Sequence, residues 1–161
     1  MTKEINQKNV IILFVLFALL GSIFSLSIYY DYYSTDKIDI SGFTSEHMLF
    51  SIDSIDDNAG NEMITIKGWA AKKNEDLKIV KTYVALKNIK TSEVLRINTI
   101  KEERPDVTSY YNNESNYNHS GFISVFNKNS IKKSGKYEVC ILYLSDNNKK
   151  FISTGKYLEI D

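Results

Sequence analysis

The chain has 161 residues, in which 20 Lys plus Arg balance 20 Asp plus Glu, so its formal net charge at pH 7 is zero. No basic stripe interleaved with aromatics is present, which argues against nucleic acid as a partner. A single cysteine rules out an internal disulfide, and one proline with 11 tyrosines and 8 phenylalanines favours strands within about one domain of chain.

Residues 10–28, VIILFVLFALLGSIFSLSI, form an uncharged apolar run of about 19 residues that begins two residues after Lys8. At about 1.5 Å of helix rise per residue it reaches about 28 Å, close to the roughly 30 Å hydrocarbon core of a bilayer. A transmembrane helix is therefore expected over residues 10–30, behind a cytoplasmic tail of residues 1–9. Lys3 and Lys8 lie on the short side, offset only by Glu4, whereas Asp31 and Asp36 precede Lys37 on the long side. The positive-inside bias puts the N-terminus in the cytoplasm and the C-terminal body outside the cell membrane.

A cleavable signal peptide would have an apolar core of about 7–15 residues and a small-residue cleavage site. Here the run stays apolar through Leu26 and Ile28 and then meets Tyr29, Tyr30, Tyr32 and Tyr33, which suit the headgroup level. The reading is an uncleaved, single-pass signal anchor, and no cysteine directly follows it to carry an acyl chain. Ala18, Gly21, Ser22 and Ser25 share one helix face, either as small residues common to spans or as a contact for a partner helix.

Residues 31–46 read as a polar linker and residues 47–161 as one extracytoplasmic domain of about seven strands. Met48, Phe50 and Ile52 alternate as a half-buried strand. Beyond a turn-rich stretch from Asp53 to Glu62, Ile64, Ile66, Gly68 and Ala70 share a face, with Trp69 opposite unless Gly68 marks a bulge. A third strand over residues 79–88 places Val80, Thr82, Val84 and Leu86 on one side, and Lys90-Thr91-Ser92 joins it to a fourth over 93–100.

Pro105 fixes its own φ, keeps Arg104 extended and favours a short helical turn. Asn112–Asn118 is a polar loop, after which Ser120–Phe126 returns to strand. Tyr137–Leu144 is apolar on both faces, as in a central strand, and Asp146-Asn147-Asn148 turns it into a last strand over 151–160. Short turns at near-regular intervals predict an all-β sandwich rather than a βαβ fold. Tyr137 suits the tyrosine that hydrogen-bonds back across a corner in immunoglobulin-like sandwiches, and Val139 stands where antibody domains hold a disulfide cysteine. Cys140 then faces the other way, as a small buried apolar side chain.

Groups that carry chemistry are sparse. His47 and His119 are far apart, without an H-x-x-x-H pair or cysteine cluster to complete a zinc site. Nucleophile-elbow, Walker and dinucleotide patterns are absent, so neither an enzyme nor a metal or cofactor is expected. Asp53, Asp56, Asp57, Asn58 and Glu62 gather oxygen donors, but not at EF-hand spacing, and read as a solvated turn. Asn113-Glu114-Ser115 and Asn118-His119-Ser120 match a glycosylation acceptor pattern and read as loops.

Two readings stand for Arg104 and Asp106, which flank Pro105. They are either an ion pair that pins a long crossover or a binding edge where Arg104 grips an anionic group such as a wall-polymer phosphate. Tyr110, Tyr111, Tyr117 and Trp69 are either core and strand-pairing residues or an aromatic platform for the apolar faces of sugars.

Ile66-Lys67-Gly68-Trp69-Ala70, Arg104-Pro105-Asp106-Val107, Ser120-Gly121-Phe122 and Gly135-x-Tyr137 occur in that order. Together they resemble the small immunoglobulin-like β-sandwich domain that recurs in bacterial envelope and surface-polysaccharide proteins, including as an appendage to glycosyltransferases. The resemblance spans about residues 47–160 and implies a noncatalytic accessory module near cell-surface glycan chemistry. Gly68, Gly121, Phe122, Gly135 and Tyr137 are its structural positions, and the heavy Lys, Asn and Ile content fits a bacterium of low genomic GC. The expected function is a membrane-anchored, outward-facing binding or assembly module in bacterial envelope polysaccharide biology, with an envelope glycan as ligand. The alternative is a small structural subunit of a membrane complex, with a membrane protein as partner.

Overall fold

The computed structural model describes residues 7–45, 47–57, 62–75, 80–112, 114–145 and 148–160. The chain divides into an N-terminal helix and a β-rich unit that begins at Tyr33. Helix α1, Gln7–Tyr33, has 27 residues and none of its side chains is buried. Among the described residues it is the one helix long and apolar enough to cross a membrane, consistent with single-pass anchoring. The hydroxyls of Ser22, Ser25 and Ser27 donate to the carbonyls of Ala18, Gly21 and Ile23, each at 2.9 Å. These serines therefore carry no unsatisfied hydroxyl donor into lipid. Lys3 and Glu4, used above for orientation, lie outside the described residues.

The β-rich unit contains nine strands among the described residues, against about seven expected. They are β1 Thr35–Lys37, β2 Leu49–Asp56, β3 Met63–Ala71, β4 Val80–Asn88, β5 Val94–Ile97, β6 Thr99–Glu102, β7 Gly121–Asn127, β8 Gly135–Ser145 and β9 Asn148–Ile160. A short helix, α2 Pro105–Tyr110, lies between β6 and β7. Two antiparallel sheets result, one ordered β1-β5-β4-β8-β9 and the other β2-β3-β7-β6. Ile64, Ile66, Phe122 and Phe126 from the second sheet and Val84, Leu86, Val139 and Ile141 from the first form one core cluster. Alternation along each strand sends these side chains inward, and β8, apolar on both faces, sits between β4 and β9.

One of the two additional strands arises because the expected fourth strand is not continuous. Residues 94–97 pair with β4, and residues 99–102 cross to pair with β7 in the other sheet. Hydropathy does not mark the switch, but Thr99 does. Its Oγ1 accepts the N–H of Val84 at 2.9 Å and lies 2.6 Å from the Ser124 hydroxyl, so one side chain links both sheets.

The predicted linker is the main correction. Helix α1 runs on to Tyr33, and Thr35–Lys37 forms edge strand β1 against β5. Ile38, Ile40 and Phe43 then pack on Ala85, Val94, Cys140 and Leu142, the outer apolar face of the first sheet. Ile38 N–H donates to the Val94 carbonyl at 3.0 Å, and Thr44 N–H donates to the Lys149 carbonyl at 2.9 Å. The segment is thus a strap fastened at both edges of its sheet. Short apolar interruptions in a polar stretch are what a one-layer cover needs, and that pattern is easily read as linker. Glu46, Ile79, Asp146 and Asn147 lie outside the described residues, so the expected final turn is seen only through its flanking strands.

Burial under this strap pushes the Cys140 thiol up to about 12. The folded protein should resist alkylation at pH 8, and Ile40→Asp with Phe43→Asp should speed Cys140 labelling by about tenfold or more, by local opening. Equal labelling rates measured by mass spectrometry would show that the strap does not protect the sheet.

Candidate functional site

The site grows from the point where β6 ends and α2 begins. Arg104, at φ −133° and ψ 67° rather than the extended conformation expected before proline, donates its N–H to the Asn118 carbonyl at 2.6 Å, and its carbonyl accepts the N–H of Val107 at 3.1 Å. Pro105 occupies the first turn, where a missing N–H costs no helical bond. Asn112, with φ of 55°, follows the helix in the left-handed region. Val107 is buried with Ala71 and Tyr117, and the Thr108 hydroxyl accepts the Tyr117 N–H at 2.8 Å. These contacts fix α2 against the end of β3.

Arg104 carries the electrostatics. Its Nε and Nη2 donate to the Asp106 carboxylate at 2.9 Å and 2.8 Å, a forked pair, while Nη1 donates to Asp53. Asp53 reaches Arg104 from a β-bulge: Ile52 pairs with Gly68 and Ser54 with Lys67, leaving Asp53 out of register. The irregularity foreseen at Gly68 therefore lies on the strand opposite it. Both pairings hold the Arg104 guanidinium above its ordinary pKa, and the Arg104 hydrogen bond holds the Asp106 carboxyl below its own.

The resembling motifs meet at this corner. A Cβ at Gly68 would lie 2.2 Å from the Ser51 carbonyl oxygen and 2.9 Å from the Phe122 ring. A Cβ at Gly121 would lie 2.5 Å from Arg104 Cγ and 2.7 Å from the Glu102 carbonyl oxygen. Both glycines are thus required by close approach. Phe122 is fully buried between the sheets.

Tyr111 is the hub of the aromatic group. Its ring meets Trp69, Tyr110 and Tyr117 edge to face at 6.1, 5.1 and 5.7 Å between centroids. Burial, followed by the neighbouring Tyr110 and Tyr117, raises the pKa of its hydroxyl. Tyr110 is 78% exposed, whereas Tyr117 is only 1% exposed. The expected place of Tyr117 in a surface platform is therefore corrected. It supports Tyr111 from within the domain, and its hydroxyl accepts the N–H of Asn74 at 2.9 Å. Ser51, Trp69, Arg104, Asp106, Val107, Tyr110 and Tyr111 line an open groove of about 450 Å³. Five of the six candidate binding residues thus converge on one surface.

No protein-family model matches the chain, and neither the curated proteins nor the solved structures give a significant match.

The remaining candidates separate. Asp53 is engaged by Arg104, Asp56 by Ser54 and Asp57 by Lys128, while Glu62 lies 3.4 Å from Asn127 Nδ2. Asn58 and Asn113 are outside the described residues. Among the described residues no three His, Cys, Asp or Glu side chains gather as a metal site. His47 is exposed, and His119 lies 3.9 Å from Glu103. Tyr137 is buried and donates to the Lys133 carbonyl at 2.7 Å, just after Gly135 with its φ of 138°. Ala18, Gly21, Ser22 and Ser25 are exposed along α1. Sequence reasoning missed the part played by Asp53, because only its position in a bulge brings it to Arg104.

Gly121→Ala should destabilise the domain by about 1–3 kcal/mol in urea unfolding, as expected for overpacking against backbone. The Asp106–Arg104 bond stabilises fully above the unfolded carboxyl pKa of about 3.9 and is lost as pH falls through the lower folded value. The stability difference between wild type and Asp106→Asn should therefore shrink as pH drops below about 4. A difference constant from neutral to acid pH would contradict this assignment.

Proposed function

We propose that this protein is an outward-facing, noncatalytic module that binds envelope polysaccharide, carried on one membrane anchor with its N-terminus in the cytoplasm. The observation that carries the reading is the groove at Trp69, Tyr110 and Tyr111, with the Arg104–Asp106 pair on its rim. Aromatic walls offer an apolar surface to the C–H faces of sugars, and rim carboxylates and N–H groups offer partners to hydroxyls.

The strand order supports an immunoglobulin-like reading of the domain. Taking β2, β3, β7 and β6 as A, B, E and D, the other sheet reads C′, C, F and G in β5, β4, β8 and β9. Tyr137, near the start of β8, bonds back to Lys133 as the corner tyrosine of such sandwiches does. With the motifs Gly68-Trp69-Ala70, Arg104-Pro105-Asp106-Val107 and Ser120-Gly121-Phe122, this favours the bacterial envelope domain they resemble.

The full-length protein in nanodiscs, titrated with purified cell-wall and capsular polymers, should bind at least one saturably. Trp69→Ala and Tyr110→Ala should each weaken that binding about tenfold, a typical effect of losing a stacked aromatic. Failure to bind any polymer would overturn the reading in favour of a structural subunit of a membrane complex.

A further inference from the structure

We propose that the groove at Arg104 selects sugars bearing a free amine and disfavours anionic polymers, an inference that rests on the glycan-binding reading above. Arginine at a glycan surface usually suggests an anion receptor, but here the guanidinium is already matched by Asp53 and Asp106. The corner therefore holds two carboxylates against one cation. Exposure points the same way: the side chain of Arg104 is 20% exposed, that of Asp53 36% and that of Asp106 63%. Solvent, and any ligand in the groove, meets carboxylate oxygen more than guanidinium N–H. Neither Lys67, on the same face of β3 two residues from Trp69, nor Asp53 lines the groove, so Asp106 is the carboxylate an occupant meets, while Asp53 engages the guanidinium from behind.

An occupant must therefore supply donors and carry no negative charge. A hexose with a protonated amine meets both conditions. Its apolar face can lie on Tyr110 and Tyr111, and its ammonium can face Asp106 beside a ring whose π face also favours cations. A phosphate or uronate would meet the exposed Asp106 carboxylate at close range, with the guanidinium donors that could offset it already engaged.

The test titrates the full-length protein in zwitterionic nanodiscs with three probes of equal length: a glucosamine oligomer, its N-acetylated counterpart and a galacturonate oligomer. The glucosamine oligomer should bind about fivefold or more tighter than the acetylated one, as one partly exposed ion pair allows, and the galacturonate weakest of the three. Asp106→Asn should bring the amine and acetyl oligomers to near parity. Tyr110→Ala should weaken both alike. Asp53→Asn provides a second charge variant if Asp106→Asn fails to fold. Equal affinity for amine and acetyl probes, or tighter binding of galacturonate, overturns the amine preference and leaves the glycan reading standing. Binding of none of the three probes, with a cell-wall or capsular polymer still bound, overturns only the preference. Loss of all binding overturns both.

Discussion

The Arg104 guanidinium, held between Asp53 and Asp106, is the contact on which this corner of the domain depends. One carboxylate comes from a bulge in β2 and the other from the first turn of α2, so the arginine ties a sheet to the helix that crosses its end. Its stem occupies the space left by the missing side chain of Gly121. Gly68 allows Phe122 and the Ser51 carbonyl to close from the other side. Motifs far apart in sequence thus form one packed unit. Tyr110, Tyr111 and Trp69 take their positions from that unit, so the ion-paired tie and the aromatic groove are built on the same corner.

Much of the fold is legible from periodicity. Ile64, Ile66 and Ala70 turn inward and Trp69 outward by strict alternation, and Tyr137–Leu144 reads as central because both its faces are apolar. Pro105 marks the start of α2 by its fixed φ and missing donor. What hydropathy does not show is set by long-range pairing. The split between β5 and β6 depends on which sheet offers hydrogen bonds, and Asp53 on a one-residue bulge. Tyr117 lies within the stretch Asn112–Asn118 that reads as a polar loop, yet it is buried and its ring packs edge to face on Tyr111. Burial of a tyrosine depends on what packs over it, which residue type alone does not reveal.

The strap changes where the domain begins. Here the residues after α1 complete the first sheet through β1 and cover its outer face with Ile38, Ile40 and Phe43. Chain leaving the helix is therefore part of the folded unit.

The most direct test of the Arg104 tie is a double-mutant cycle between Arg104 and Asp53, read by chemical unfolding at neutral pH. Coupling of about 1 kcal/mol is expected from a charge-assisted contact of this exposure. The same cycle run between Arg104 and the unconnected Asp39 should give none, because that carboxylate is held by Ser41 instead. Additive effects of Arg104 and Asp53 would contradict the account, since the bulge in β2 and the helix would then be held together by something else.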